Sequence, residues 1–429
     1  MPTTTTYPGV YIEEDASLSL SINNSPTAIP VFIGKFFKKD GSLPAKGSCI
    51  RITSWLDFTS QFLLSPVPVV SVKATSKGEG SSKTYTYKAT ITTTSLSAFA
   101  IQHYFNNGGG VCYLLQLVET ELETLPDLIE KQQEITLLVC PEKDIELKQK
   151  VYNEVNSLLQ AKVGYFLIAD SDDGTKKPST QPDKTAVYYP NLETSFTYNQ
   201  PADADIKLDD YNGAKTLAEL KTASPKEYAA AKKTVDDELR ATKITLPPSA
   251  AVAGAYAATD ASRGVWKAPA NVALNNAKPS EPITDDKQGT MNEAGINAIR
   301  HFIGKGTLIW GARTLDKTDN WRYIPVRRLF NAAERDIKKA MQFAVFEPNS
   351  QPTWKRIQTA IDNYLYQLWQ QGALAGNKPQ EAYFVQIGKD ITMSDTDIKQ
   401  GKMIVKVGMA AVRPAEFIIL QFTQNVAQS

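Results

Sequence analysis

Histidine and cysteine are the side chains from which a metal site or a nucleophilic centre would be built, and this chain has few of either. Its two histidines, His103 and His301, are far apart in the sequence. Its three cysteines, Cys49, Cys112 and Cys140, show no CxxC spacing. Protein zinc ligands normally come in closely spaced pairs. We therefore predict no metal and no cofactor, and we expect both histidines to be structural.

Glycine-rich segments are the second candidate for chemistry, since they can cradle phosphate groups. In Gly304-Lys-Gly-Thr307 the lysine precedes the second glycine, whereas a phosphate-binding loop needs it directly afterwards. Gly108-Gly-Gly110 comes before a strand-like run, and the bulky, charged loop after Gly34 lacks the glycines of a dinucleotide-binding turn. A nucleotide-dependent α/β enzyme remains as an alternative function on the strength of the strand–helix alternation alone.

Acidic pairs and serine nucleophiles are the third candidate. No Gly-x-Ser-x-Gly motif occurs. The Asp-Asp pairs at 172–173, 209–210, 236–237 and 285–286 lie in polar, turn-rich segments, where solvated acids are expected instead of a buried catalytic pair. We predict that the chain is not an enzyme.

Composition and charge are those of an ordinary globular protein. The chain has 429 residues, of which 42% are hydrophobic and 22% charged, and its length predicts two or three domains. A formal net charge of +1 argues against nucleic acid as a partner. Residues 300–347 hold ten Lys and Arg against five Asp and Glu. That excess fits either a solvated helix face or a surface for an acidic protein partner.

Targeting signals are not evident in the sequence. No apolar run follows a basic segment at the N-terminus, and no stretch approaches the ~20 apolar residues of a membrane span. We therefore expect no secretion signal, no membrane insertion, and synthesis in a reducing cytoplasm.

Strand-like and helical patterns alternate through the first half of the chain. Apolar β-prone runs and amphipathic segments follow one another, which predicts an α/β layer with a partly parallel sheet. The predicted strands are Ala28–Gly34, Val111–Val118, Ile135–Cys140, Val163–Ala169 and Ala186–Tyr189, and the predicted helices are Trp55–Leu64, Leu96–Phe105 and Ile145–Gln160.

Two long helices and a sheet are predicted near the C-terminus. The first helix, Val326–Val345, directs Arg335, Lys338 and Lys339 away from its apolar face. The second begins after Ser350 and ends at Gly372, and it directs Lys355 and Arg356 outward.

The predicted fold class is mixed α/β with two domains and extended arms at both ends. We expect an N-terminal arm over 1–28, an outer α/β domain over 29–262, an inner C-terminal domain over 263–414 and a C-terminal arm over 415–429. Polar segments near 65–95 and 201–245 are expected to be surface insertions in the outer domain.

The two arms are the most informative feature. Tyr7-Pro-Gly-Val-Tyr-Ile12 and Phe417-Ile-Ile-Leu-Gln-Phe422 are β-prone although they lie at chain ends, which usually fray. This placement predicts strands donated to a neighbouring copy's sheet. The simpler interpretation of each is a mobile tail or an intramolecular edge strand.

Several segments, in order, resemble the contractile tail sheath family. They include Thr6-Tyr-Pro-Gly-Val-Tyr-Ile-Glu-Glu14, Leu246-Pro-Pro-Ser-Ala-Ala-Val-Ala-Gly-Ala-Tyr256, Arg327-Arg328, Phe346-Glu-Pro-Asn349 and Arg413-Pro-Ala-Glu-Phe-Ile-Ile419. The N-terminal run looks most like sheaths of antifeeding-prophage or virulence-cassette particles.

The resemblance implies a helical sleeve of stacked hexameric rings that contracts around an inner tube and drives it through a target envelope. It implies that Tyr7, Pro8, Gly9, Val10, Tyr11, Ile12, Phe417, Ile418, Ile419, Leu420 and Phe422 form inter-subunit arms. For the tube-facing helix, Arg335, Lys338 and Lys339 are the first choice and Lys355 and Arg356 the second.

The partners that the resemblance implies are further copies of the chain, paralogous sheath subunits, the inner tube protein, and baseplate and terminal cap proteins. It implies assembly in a bacterial cytoplasm and function in a released extracellular particle. A non-contractile capsid-like or adhesin protein is the remaining structural alternative.

Overall fold

The computed structural model describes residues 22–64, 68–77, 83–93 and 95–419. Its strands are β1 (Pro30–Gly34), β2 (Cys49–Ile52), β3 (Val69–Lys77), β4 (Thr84–Thr92), β5 (Cys112–Gln116), β6 (Leu137–Val139), β7 (Phe166–Asp170), β8 (Thr185–Tyr189), β9 (Leu192–Glu193), β10 (Lys207–Asp209), β11 (Thr245–Leu246), β12 (Val272–Ala273), β13 (Lys278–Pro279), β14 (Ile296–Phe302), β15 (Gly306–Trp310), β16 (Tyr383–Gln386) and β17 (Lys406–Met409). Its α-helices are α1 (Trp55–Gln61), α2 (Ser97–Asn106), α3 (Leu125–Glu130), α4 (Ile145–Ala161), α5 (Leu217–Ala223), α6 (Pro225–Ala241), α7 (Ser249–Arg263), α8 (Asp285–Ala294), α9 (Ile324–Ala340), α10 (Gln351–Gln370), α11 (Pro379–Ala382) and α12 (Asp395–Lys399).

The described residues form two compact units. The larger unit contains Pro26–Asn331 together with residues 413–419, and the smaller unit contains residues 22–25 together with Ala332–Val412. The division falls inside α9.

A mixed sheet forms the centre of the larger unit. Within the described residues it has nine strands in the order β12-β15-β14-β8-β7-β6-β1-β5-β2. The strands from β14 to β5 in this order run parallel. Strands β2, β15 and β12 are antiparallel to their neighbours. The predicted α/β fold with a partly parallel sheet is confirmed.

Helices cover both faces of this sheet, which explains why its central strands are apolar without alternation. Val31 and Ile33 of β1 face a core formed with α3, α4 and α8. Phe32 faces the opposite core, formed with α1, α2 and α7. Every residue of β1, β5 and β7 is buried.

Helix α7 packs unusually close to α2 because its inward face consists of small residues. A Cβ atom at Gly254 would lie only 2.4 Å from the carbonyl oxygen of Tyr104. Any larger side chain there would push the two helices apart, so the glycine sets their spacing.

The division between the units differs from the domain boundary at 262 that the sequence predicts. The segment from 263 to 331 contains β12, β14 and β15, and β14 runs parallel to β8 in the large sheet. Hydrogen bonding therefore ties this segment to the larger unit. Sequence patterns did not reveal β14, because the polar residues Asn297, Arg300 and His301 interrupt its apolar run.

The two predicted insertions meet to form one small module. The β3–β4 hairpin of the first insertion pairs through β3 with β10 of the second, in a parallel arrangement. Helices α5 and α6 cover it. Their shared core contains Val70, Val72, Ala74, Ile206, Leu208, Leu217, Leu220, Ala231 and Val235.

The smaller unit packs α10 next to the β16–β17 hairpin. The predicted apolar stripe of α10 is buried at Ile357, Ile361, Leu365 and Leu368. Lys355 and Arg356 are exposed on the helix, as their positions predict. None of the helices in the described parts of the chain has the length and apolarity to cross a bilayer.

His103 is a buried histidine whose charged form the fold disfavours. Its Nε2 lies 3.1 Å from the carbonyl oxygen of Asn275, while its Nδ1 is buried with no hydrogen-bond partner among the described residues. Burial lowers the pKa of His103 from 6.5 to about 4. The neutral ring is therefore the form that the fold accepts. His301, in contrast, is exposed on β14.

We predict that replacing His103 with Gln reduces the pH dependence of stability. Because the pKa in the fold is depressed, stability from neutral His103 is present above pH 6.5 and is lost as pH falls towards 4. The full loss corresponds to about 3 kcal/mol in the free energy of unfolding. Urea unfolding of the purified subunit at several pH values between 7 and 4 measures it. His301→Gln is the matched control and should keep the wild-type pH dependence. If the free energy of unfolding changes with pH equally in His103→Gln and in the wild type, the prediction is wrong.

Candidate functional site

The start of the larger unit is fixed by a buried ion pair. The predicted arm residues Tyr7, Pro8, Gly9, Val10, Tyr11 and Ile12 lie outside the described residues. The guanidinium of Arg328 donates to both carboxylate oxygens of Asp260, at 3.0 and 2.5 Å, and to the carbonyl of Thr27 at 3.1 Å. The Thr27 hydroxyl donates to the same carboxylate at 2.5 Å. The paired side chains are 2% and 6% exposed, so the chain enters the fold at a rigid point.

The C-terminal segment is largely buried at Glu416 and exposed from Phe417 to Ile419. Glu416 pairs with Arg313 at 2.7 Å, and both side chains are largely buried. The next three residues, Phe417, Ile418 and Ile419, belong to no strand and are 71%, 81% and 82% exposed. Leu420 and Phe422, the other predicted arm residues, lie outside the described residues.

The β16–β17 hairpin of the smaller unit is a sheet with room for more strands. Its register pairs Tyr383 with Met409 and Gln386 with Lys406, and no further strand joins it among the described residues. Phe384 is 52% exposed on β16. A two-stranded sheet is marginal in water, and unpaired strand edges offer backbone groups to another chain.

The predicted cationic residues differ in exposure. Lys338 and Lys339 are exposed in the last turn of α9, where the helix dipole favours positive charge. Arg335 is half-buried. Lys355 and Arg356 are exposed near the start of α10, and the Arg356 guanidinium lies 5.2 Å from the ring centre of Phe343.

A buried carboxylate orients the cationic part of α9. Asp336, only 3% exposed, accepts a hydrogen bond from the Tyr364 hydroxyl at 3.1 Å and from the backbone N–H of Ser25 at 3.2 Å. Burial and the nearby carboxylate raise the pKa of the Tyr364 hydroxyl well above its ordinary value. Tyr364 is therefore a permanent donor, and the helix turn that bears Lys338 and Lys339 is fixed to α10.

The carboxyl edge of the parallel sheet, where α/β enzymes bind nucleotides, is filled by protein groups. Glu142 accepts hydrogen bonds from the Lys35 backbone N–H at 2.8 Å and from the Ser97 hydroxyl at 2.6 Å. A Cβ at Gly34 would lie 2.4 Å from the Ser97 oxygen. A phosphate placed there would meet a carboxyl group and no open loop, which disfavours the nucleotide-dependent alternative.

Asp170, at the end of β7, has a structural role of the same kind. It accepts hydrogen bonds from the backbone N–H and the hydroxyl of Ser249, both at 2.8 Å, at the start of α7. Burial raises the pKa of Asp170 to about 6. In the described ranges, no group of three or more His, Cys, Asp or Glu is arranged to hold a metal.

Sequence reasoning missed the two ion pairs at the ends of the larger unit. Arg328 and Asp260 are 68 positions apart, and Arg313 and Glu416 are 103 apart. No local period or spacing connects such partners. The only signal was that Arg327-Arg328 and Arg413-Pro-Ala-Glu416 belong to the segments that resemble tail sheaths.

Comparisons with known proteins agree with this architecture. The family model described as phage tail sheath protein central domain matches residues 135–315, and the phage tail sheath C-terminal domain model matches residues 316–425. The tail sheath protein of Vibrio phage KVP40 is 26% identical over 180 residues, which is 41% of this chain and only 26% of that phage protein.

Solved structures match over almost the whole chain. The helical sheath of the anti-feeding prophage (AFP) in its contracted state is 46% identical, with a TM-score of 0.72, and the match covers 98% of this chain and 100% of that chain. The AFP baseplate structure gives the same identity and TM-score over 99% of this chain and 100% of that one. The PVC sheath complex of an extracellular contractile injection system, also contracted, is 40% identical with a TM-score of 0.71 over 99% of both chains.

These matches confirm the resemblance that the sequence motifs indicate. The identity is high, and it extends over both units and both ends of the chain. This protein belongs to the phage tail sheath family.

Proposed function

We propose that this chain polymerises into a helical sleeve of stacked hexameric rings around an inner tube, and that contraction of the sleeve drives the tube through a target envelope. As a member of the tail sheath family, the chain is a structural sheath subunit. The AFP and PVC relatives are sheath and baseplate assemblies of contractile injection systems. The proposal extends their assembly to copies of this chain.

The observation that best supports the proposal is a pair of incomplete elements. The β16–β17 sheet has only two strands within the described residues, and the apolar side chains of Phe417, Ile418 and Ile419 are exposed to solvent. If the apolar segment of one copy added a strand to the sheet of another copy, the sheet would gain hydrogen bonds and the apolar side chains would be buried. In the proposed assembly, residues 1–28 and 415–429 are the arms that make these links.

Strand exchange would make strong links. Each added backbone hydrogen bond contributes about 1 kcal/mol net, and burial of an Ile or Phe side chain contributes about 1.5–3 kcal/mol. Several such contributions per arm suit a connection that survives rearrangement of the subunits.

Contacts with the inner tube would be weak individually. An exposed ion pair contributes only ~0–1 kcal/mol. Many copies of Lys338 and Lys339 could together hold the extended state, while each single contact still releases readily. The energy for contraction would then come from two alternative packings of the same subunits, with no ligand chemistry.

The proposal includes the finer statements on partners and location. Its partners are the inner tube protein, paralogous sheath subunits, and baseplate and cap proteins. We propose that the assembled particle acts outside the cell that made it, because the PVC relative belongs to an extracellular contractile injection system. We assign no catalytic role to the chain, and the filled carboxyl edge at Glu142 supports this.

We predict that deleting residues 1–15, or residues 418–429, leaves a folded subunit that cannot form the sleeve. Ile418 and Ile419 have more than four-fifths of their surface exposed, so the fold loses little when they are removed. Assembly would lose every hydrogen bond of the donated strand. Thermal unfolding measures the fold, and electron microscopy measures the cylinders. Normal cylinders from both deletions would contradict the arm assignment.

We predict that the double variant Lys338→Glu/Lys339→Glu weakens binding to the inner tube and favours early contraction. Attraction becomes repulsion if the tube surface is acidic, and the two side chains are exposed, so the fold should be unaffected. The fraction of extended particles in micrographs of co-expressed sheath and tube gives the result.

Two comparisons sharpen this experiment. Lys355→Glu/Arg356→Glu tests the second candidate helix. Lys226→Glu/Lys233→Glu makes the same change of charge at exposed positions of α6 in the insertion module and should have no effect. If all three variants give extended particles in normal yield, the tube-facing surface lies elsewhere.

A further inference from the structure

The carboxylate of Glu416, near the start of the exposed C-terminal segment, accepts hydrogen bonds from several side chains of the larger unit. Arg313 donates from Nε to Glu416 Oε1 at 2.9 Å and from Nη2 to Oε2 at 2.7 Å, a two-pronged geometry. Asn292 Nδ2 donates to Oε1 at 3.0 Å, and the Tyr323 hydroxyl lies 3.3 Å from Oε2. We call Arg313, Glu416, Asn292 and Tyr323 the C-terminal clamp.

Arg313 itself is anchored to the large sheet. Its backbone N–H donates to Asn297 Oδ1 at 2.7 Å, and its carbonyl accepts from Asn297 Nδ2 at 2.8 Å. Asn297 lies on β14 and is 1% exposed. A second contact, from Arg313 Nη1 to the carbonyl of Asn292 at 3.0 Å, ties the guanidinium to the end of α8. The clamp therefore connects the C-terminal segment to β14 of the large sheet and to α8.

The clamp acts on a segment that otherwise makes little contact. The side chains of Arg313 and Glu416 are 16% and 20% exposed, whereas Phe417 is 71% exposed. The segment from Pro414 to Ile418 also lines one side of a cavity of about 630 Å³ next to Trp310 and Arg300. With a cavity beneath it, the segment has incomplete packing support, and Glu416 supplies the main polar attachment.

We propose that Arg313 and Glu416 are positioning residues that fix the point and direction in which the C-terminal arm leaves the subunit. This inference rests on the proposed exchange of that arm between copies. An arm that leaves from a fixed point loses less conformational freedom when it joins a neighbour's sheet, so assembly is favoured. The same attachment transmits load from the arm to the sheet through a charge-assisted, two-pronged bond instead of through a loop.

A role in folding alone would give a different pattern. The side chains of Arg313 and Glu416 keep 16% and 20% of their surface exposed, so water solvates either charge when the other is lost. The stability of the subunit should therefore depend on this pair much less than on the fully buried pair of Arg328 and Asp260. Positioning, in contrast, should appear as slower amide hydrogen exchange around residues 413–416 and as a lower protein concentration needed for assembly.

The experiment uses Glu416→Gln, which keeps the shape but removes the charge, and Arg313→Lys, which keeps the charge but removes the two-pronged geometry. We expect amide exchange at 413–416 to become about tenfold faster, and the concentration for half-maximal sheath assembly to rise about tenfold, with nearly unchanged thermal unfolding. Reversing the pair, with Arg313→Glu and Glu416→Arg together, should partly restore both the slow amide exchange and the wild-type assembly concentration. Arg322→Lys, at an arginine paired with the exposed Asp319, is the matched control.

The outcomes separate the two proposals. If deleting residues 418–429 blocks assembly while Glu416→Gln and Arg313→Lys assemble like wild type, arm exchange stands and the clamp inference is wrong. If the deletion assembles normally, arm exchange fails and the clamp inference fails with it. If Arg313→Lys lowers thermal stability, Glu416→Gln alone decides, because the Arg313 side chain also contacts the carbonyl of Asn292 on α8.

Discussion

The buried pair of Arg328 and Asp260 is the interaction on which the larger unit most depends. It joins α9 to α7 and holds Thr27, where the chain enters the large sheet. The guanidinium also lies 4.6 Å from the ring centre of Tyr256, whose hydroxyl shares a hydrogen bond of 2.7 Å with Tyr188 of β8. Removing either charge would leave the other buried and unpaired, at a cost of about 3–5 kcal/mol. Such a pair specifies one arrangement of helices and strand more than it adds stability.

Much of the fold was predictable because its elements depend on local patterns. The apolar runs before Gly34 and around Leu114 are buried on both faces, and α4 and α10 follow their helical periods almost to the residue. Partners that lie far apart in the sequence were not predictable. The pairing of β14 with β8 and the ion pairs of the two chain ends each depend on folding that has already brought distant segments together. Of the predicted cationic residues, Lys338 and Lys339 are exposed and Arg335 is half-buried, because the helical period assigns a face but not the depth of the neighbouring packing.

The two units divide their physical tasks in a consistent way. The larger one is built from a sheet covered by helices on both faces. The smaller one has a hairpin that no further strand joins among the described residues, a helix with an exposed cationic end, and a buried Asp336–Tyr364 contact that keeps the helices aligned. In the proposed assembly, subunits linked by exchanged strands and attached to the tube by many weak charges would rearrange without losing their connections.

The small module made from two insertions has a consequence for how such subunits diversify. Its hydrophobic interior is supplied partly by the β3–β4 hairpin and partly by β10, α5 and α6, from places far apart in the gene. Loss of either half would expose Val70 and Val72, or Leu217 and Leu220, to water. The two halves must therefore be inherited or exchanged together. An engineer who wishes to shorten this subunit has to excise both at once, whereas a foreign peptide inserted between Lys77 and Thr84 would cut neither half of the core.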